Sequence, residues 1–206
     1  MRLIFIRHGE TYHSKHGLYQ IDSSSLLPFA KLKAIELAKK LAVLKPDSIL
    51  VSELARSQET GRLLNTCLDI PIRTEPLLNE FREPSKLAGL KIYKVNSYIF
   101  RAIREYENNK DFKEEDGESL KEFIIRLLKF RMSIEKSKNS SIVCVGHGLY
   151  MRLFMLLTFI EPAYLTSDML NLLTKAKLGK LMCASFKFQN LVWRLESWNV
   201  NLAAIT

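Results

Sequence analysis

Long apolar runs are missing from this 206-residue sequence. The longest one towards its end, Leu153 to Ile160, is far short of the roughly 20 residues that a membrane-spanning helix needs. No spanning segment is expected. A leader peptide is not expected either, because Arg7, His8 and Glu10 interrupt the first apolar stretch almost at once. Cysteine is scarce. Cys67, Cys144 and Cys183 are odd in number and far apart, which excludes a disulfide scaffold and predicts reduced, mostly buried thiols in a cytoplasmic protein. Internal repeats and low-complexity tracts are also absent, so neither a solenoid nor a disordered tail is expected.

What is present is an ordinary globular balance: 47% apolar and 26% charged residues. A chain of this length hides roughly 70% of its unfolded surface on folding, enough for a full core in one domain. The net charge is +9, from 31 Lys and Arg against 22 Asp and Glu. Such an excess favours anionic partners, whether phosphate esters, nucleic acid or a membrane surface.

Strand and helix patterns alternate. Arg2 to Ile6 is a short buried strand that stops at Arg7-His8-Gly9. Thr11 to Leu27 is polar and reads as loop. From Pro28, apolar residues recur at helical spacing to about Leu44. Ser48 to Val51 is a second strand, Glu53 to Cys67 a second helix, and Ile70 to Ile72 a short third strand. Residues 82–118 mix proline, glycine, aromatics and dense charge, and read as a helical insertion or lid closing on the acidic loop 114–117. Ser119, with Glu122 three residues later, forms a capping box for a helix from Leu120 to about Lys136. Within it Phe123, Leu127, Phe130 and Ile134 form a core stripe. Ile142 to Val145 is a strand ending at Gly146-His147-Gly148, followed by an apolar helix, Leu149 to Phe159. Met182 to Phe188 and Val192 to Trp198 form a closing hairpin. This order predicts an α/β fold, a three-layer α/β/α sandwich with a mainly parallel central sheet.

Two histidines occupy the same kind of place. His8 and His147 each follow a buried strand and precede a glycine. Ligands of open α/β sheets bind beyond the carboxyl ends of the strands, so both imidazoles are expected in one pocket. Glycine there permits a close backbone approach or a positive φ.

Arg7-His8-Gly9-Glu10-Thr11 resembles the opening signature of the histidine phosphatase superfamily, the phosphoglycerate mutase-like fold. The likeness continues through most of the chain. Residues 52–60, around Arg56, look like the family's second-arginine motif, and Leu78-Asn79-Glu80 like its acidic-donor segment. Gly117-Glu118-Ser119 stands where members begin the helix before the last central strand. Val145-Gly146-His147-Gly148 looks like the second-histidine motif, and Trp193 to Asn199 like the terminal strand. The chain departs from the usual pattern at Ser14, where many members carry Asn, at Leu27, Ala30 and Lys33, and at Pro84-Ser85 after the glutamates.

The resemblance implies one domain over 1–206 and a metal-independent phosphatase acting on phosphomonoesters. His8 would be the nucleophile and form a phosphohistidine, splitting one hard step into two. Its second ring nitrogen would hold a proton given to a loop carbonyl. Arg7, Arg56 and His147 would receive phosphoryl oxygens, with Ser14 and Gly148 as further phosphate contacts. Glu80 is expected to protonate the leaving alcohol, with Glu83 as runner-up. No cofactor and no metal are implied, and His13-Ser14-Lys15-His16 is not read as a metal site. The expected partner is a small phosphorylated substrate, not a membrane and not nucleic acid; Lys175, Lys177 and Lys180 are read as a solvated basic cluster. A mutase-type phosphotransferase, an inactive phospholigand-binding domain and a basic nucleic-acid-binding protein are the alternatives. Substrate identity and oligomeric state stay open.

Overall fold

A computed structural model describes residues 1–93, 97–176 and 178–200. Lys177 of the basic cluster and residues 94–96 of the 82–118 segment lie outside the described residues. The elements run β1 (Arg2–Arg7), α1 (Tyr12–His16), α2 (Pro28–Val43), β2 (Ser48–Val51), α3 (Ala55–Leu68) and β3 (Ile72–Thr74). They continue with α4 (Tyr98–Glu105), α5 (Leu120–Glu135), β4 (Ser141–Gly146), α6 (Gly148–Phe159), α7 (Ser167–Lys175), β5 (Cys183–Gln189) and β6 (Val192–Val200). Six strands form one sheet in the order β3-β2-β4-β1-β5-β6. The four strands β3, β2, β4 and β1 are parallel; β5 runs antiparallel to β1, and β6 antiparallel to β5.

The two faces of the sheet bury different residues, as the two-residue period of a strand requires. Ile4, Ile6, Val143 and Val145 pack with Leu37, Ala38 and Leu41 of α2 and Leu64 of α3. On the other face Leu3, Phe5, Ile142 and Cys144 pack with α4, α5, α6 and α7. Helices therefore cover both faces of a mainly parallel sheet. Phe5 sits in an aromatic cluster, with ring centroids 5.0 Å from Phe154, 5.9 Å from Phe186 and 6.1 Å from Tyr150. Truncating a buried phenylalanine of this kind typically costs about 3–5 kcal/mol. Gly61 is required where α3 crosses β2, since a Cβ there would lie 2.3 Å from Val51 Cγ1.

Three local differences from the sequence reading have physical reasons. The polar stretch after β1 contains α1, built on a reciprocal cap between Thr11 and Ser14 and burying none of its own residues. It therefore carries no apolar periodicity. β3 falls two residues later than expected and is exposed along its length. α7 carries a thin apolar signal, with only Leu170 and Leu173 buried.

The 82–118 segment forms a single-turn helix at Ser85–Leu87, α4 and the acidic turn. Its charges are paired: Glu114 with Arg101 at 2.7 Å and Glu115 with Lys86 at 2.6 Å, while Asp116 accepts the Ser85 N–H at 2.9 Å. Buried Glu118 closes the segment on Arg126, whose guanidinium also donates to the carbonyls of Leu77, Asn79 and Glu80. Arg126 thus fixes the backbone that carries Glu80. No helix among the described residues is long and apolar enough to cross a membrane.

Candidate active site

β1 and β4 are hydrogen-bonded parallel neighbours, with Arg7 in register with Gly146. The residues that follow, His8 and His147, therefore leave the sheet side by side, and their ring centroids are 5.2 Å apart. The His8 N–H donates to the Gly146 carbonyl at 2.9 Å, which ties the two strand ends together. Both rings are buried.

Each ring has one nitrogen committed. His8 Nδ1 lies 2.7 Å from the Gly9 carbonyl oxygen. A carbonyl can only accept, so Nδ1 carries the proton and Nε2 keeps its lone pair. His147 is wired through its other nitrogen: Nε2 lies 2.6 Å from Ser52 Oγ, and Nδ1 is buried with no partner. Burial, assisted for His8 by the Lys180 ammonium and for His147 by Arg56, pushes both imidazoles well below their ordinary pKa. Both are neutral at pH 7.

Three guanidinium groups border the same cavity: Arg7, Arg56 and Arg152. The Nε of each is buried and unpartnered. Burial lowers all three, Arg7 to about 10. Such donors, left without water or an acceptor, each cost about 1–3 kcal/mol, so their natural complement is an anion. Arg7 is laid in place by Gly148: a Cβ there would come within 3.0 Å of its guanidinium carbon. Of the two glycine roles expected, close approach is the one found at Gly148. Arg56, in the first turn of α3, donates to the Ile21 carbonyl at 3.4 Å. Thr60, one turn on, accepts the Gly9 N–H at 3.1 Å and so joins α3 to the His8 loop.

Two carboxyls complete the wall. Glu80 Oε1 accepts from the Tyr150 and Phe81 N–H groups at 3.0 and 3.2 Å, and Oε2 from Leu149 N–H at 3.1 Å. It therefore caps the N-terminus of α6 while facing the cavity. Glu83 is partly buried beside it. Burial first, then the Glu80 charge, push the Glu83 carboxyl up to about 8, against the pull of Arg56. Glu83 holds a proton at neutral pH.

All the expected site residues converge. Arg7, His8, Ser14, Arg56, Glu80, Glu83 and Gly148 border one cavity of about 1110 Å³, and His147 lies beside His8 with its ring tilted by 54°. Ser14 arrives with its hydroxyl engaged, donating to the Thr11 carbonyl at 3.1 Å. His13 and His16 are occupied elsewhere, with Ser24 Oγ and the Tyr12 carbonyl. Among the described residues no group of three or more His, Cys, Asp or Glu could hold a metal ion.

Three functional positions escaped the sequence reading. Ser52 positions His147, Arg152 adds a cation one turn after it, and Lys180, read as a solvated lysine, lies with Nζ 3.4 Å from His8 Nε2. The spacing of Arg152 from His147, five residues along a helix starting at the site, was the one available signal. Lys180 had none, because the antiparallel return of the chain along β1 brings it there.

Two strand-end imidazoles set among guanidinium groups whose buried Nε atoms lack a partner make a site suited to an anion on an α/β scaffold. The chain belongs to the histidine phosphatase superfamily (branch 1), whose family model matches residues 3–201. It is 39% identical over 84 residues to the adenosylcobalamin/alpha-ribazole phosphatase of Escherichia coli (strain K12), covering 39% of this chain and 40% of that protein. It is 30% identical over 133 residues to a protein of Schizosaccharomyces pombe (strain 972) named as a probable phosphatase, covering 63% of this chain and 58% of the relative. These matches thus span less than two thirds of either curated relative. The crystal structure of the alpha-ribazole phosphatase from Shigella flexneri has the same fold, with a TM-score of 0.78 over 97% of this chain and 96% of that one, at 22% identity.

Proposed function

We propose that the chain hydrolyses phosphomonoesters, without a metal, through a phosphohistidine on His8. The observation that carries this reading is the set of buried donors with no partner, Arg7 Nε, Arg56 Nε, Arg152 Nε and His147 Nδ1, gathered around a neutral imidazole whose Nε2 is free of a proton. A phosphoryl dianion supplies what these donors lack.

In the first step the His8 Nε2 lone pair forms the N–P bond as the bond from phosphorus to the alcohol oxygen breaks. The proton stays on Nδ1, which keeps donating to the Gly9 carbonyl, and that contact stabilises the imidazolium character that develops. Guanidinium and His147 donors take the equatorial oxygens, where charge grows most. For His147 this needs the Nδ1–H tautomer, in which Nε2 accepts from the Ser52 hydroxyl. The leaving oxygen takes a proton from Glu80, which has to bind substrate in its protonated form, the proton sitting on the Oε2 lone pair that no backbone N–H occupies. Water then attacks the phosphohistidine, with the same carboxylate receiving its proton. A second reading exchanges the acids: Glu83, protonated up to about pH 8, delivers the proton, and Glu80 holds the N-terminus of α6.

The cavity is far larger than a phosphate, and Leu18, Ile92, Ile99, Phe100 and Leu172 give it apolar walls. This supports a bulky, partly apolar leaving alcohol, with room left in the cavity for the water that hydrolysis needs. The names of the Escherichia coli and Shigella flexneri proteins make phosphorylated α-ribazole one compound to include in a phosphoester panel.

Rapid acid-free quenching with a reactive phosphoester tests the central step. An acid-labile, base-stable phosphate should map to His8 and vanish in His8→Ala. Labelling that persists in that variant, or that maps to His147, would overturn the assignment.

A further inference from the structure

We propose that Lys180 is a catalytic residue whose ammonium group passes from His8 onto the transferring phosphoryl group. This rests on the phosphohistidine reading above. The contact itself is direct: Nζ lies 3.4 Å from Nε2, the nitrogen that must attack. His8 Nδ1 carries the proton, so Nε2 accepts from Lys180.

The loop that presents Lys180 is built on the first arginine of the site. Arg7 Nη1 donates to the Leu178 carbonyl, the Leu181 N–H donates to the Arg7 carbonyl at 3.0 Å, and the Arg7 N–H donates to the Met182 carbonyl at 3.2 Å. Residues on both sides of Lys180 are thus fastened to the residue before His8. Gly179 N–H is held by Asn199 Oδ1 at 2.8 Å. Leu181 is forced to φ +57°, a left-handed conformation that a branched apolar side chain avoids. Backbone of this kind persists where the surroundings over-determine it, and it clusters at working sites.

The charge arrangement fits a phosphoryl ligand. Among the described residues no carboxylate forms an ion pair with Lys180. Burial, Arg7 and Arg56 all disfavour its cation, against the weaker support of Glu80 and Glu10. An arriving dianion provides the counter-charge. When phosphorus approaches Nε2, that nitrogen stops being an acceptor, because its lone pair enters the N–P bond. The Lys180 N–H then turns to the nearest phosphoryl oxygen. No proton is transferred by Lys180 in this step; it exchanges one acceptor for another. The resting contact also keeps solvent protons off Nε2.

The test uses the full chain with 4-nitrophenyl phosphate, whose leaving group needs little protonation, so that only the phosphoryl side is read. Single-turnover phosphorylation of His8 should fall roughly 10²–10³-fold in Lys180→Met, the usual effect of removing one preorganised donor. Vanadate inhibition should weaken in parallel, while KM changes less than kcat. Lys180→Arg, which keeps the cation, should recover much of both. Labelling of His8 in Lys180→Met within threefold of wild type would overturn the proposal. So would an equal loss in the Met and Arg variants with vanadate affinity unchanged, which marks a purely structural lysine. If wild-type His8 itself takes no label, the hydrolytic reading fails, and the role of Lys180 with it.

Discussion

His8 and His147 make a controlled comparison inside one molecule. Each follows a parallel strand, each precedes a glycine, each is buried and each is neutral at pH 7. Yet the rings are wired in opposite senses, His8 through Nδ1 to a backbone carbonyl and His147 through Nε2 to a serine hydroxyl. A carbonyl fixes the tautomer outright, since it cannot donate. A hydroxyl can do either and so leaves the choice to its own surroundings. The free nitrogen of His8 is therefore a lone pair, suited to attack, while that of His147 carries a proton only in the tautomer whose Nε2 accepts from Ser52. Residue type and strand position are shared; the partner of the far nitrogen divides the roles.

Breaking this comparison has a largest and a smaller form. On the proposed mechanism, loss of His8 should abolish the phosphorylated intermediate altogether. His147→Ala should leave that intermediate detectable but slow its formation by roughly 10²–10³-fold, the scale of one lost transition-state donor. Ser52→Ala should act in the same direction and more weakly, by about tenfold, through His147 alone, so that it adds nothing on top of His147→Ala. Phosphorylation rates from rapid quench across the single and double variants check both. A Ser52 effect that persists without His147 would separate the two residues.

Glu80 and Glu83 repeat the contrast in carboxyl form, one fastened by three N–H groups and one held protonated by its surroundings. Glu80→Gln should slow an alkyl phosphate by up to roughly 10²–10⁴-fold, the usual range for general acid catalysis, and nitrophenyl phosphate much less. If Glu83→Gln gives that leaving-group dependence instead, the donor is Glu83 and the second reading holds.

The smallest effect is on stability. Burial raises Glu83 from an ordinary carboxyl value near 4.5 to about 8. Between those values the folded chain binds a proton that the unfolded chain has released, so this contribution is complete below pH 4.5 and lost as pH rises through 8. The two histidines act oppositely, losing stability as pH falls below 6.5. Melting midpoints of wild type minus Glu83→Gln isolate the glutamate. The difference should decline steadily from pH 5 to 8 by a few degrees. A flat difference would mean that Glu83 is already ionised in the folded protein.

Most of the scaffold was legible. β1, β2, β4 and the closing hairpin lie within a residue or two of their apolar runs, because buried strands announce themselves by composition, and Ser119 with Glu122 marked the start of α5 correctly. The edge strand β3 was displaced because its side chains face solvent, and α1 was invisible because its stability comes from a cap and not from a buried face. At the site, residues within motifs next to strand ends were readable. Lys180 was not, and Ser52, although it opens the 52–60 motif, gave no sign of its contact, because the partners lie 172 and 95 residues away in sequence.

The unpartnered guanidinium nitrogens have one more consequence, for the economy of turnover. A site that folds with its donors unsatisfied is most comfortable when any tetrahedral oxyanion sits in it, and the last such ion in each cycle is the product. Inorganic phosphate is then both the brake on the reaction and a ligand that binds the folded chain alone, stabilising it by mass action. Catalytic idling and conformational security would rise together as product accumulates. On the proposed reading such a protein meets its substrate most readily when it is least protected, and apolar walls that phosphate cannot reach would give a bulky ester the extra grip needed to displace the stabilising ion.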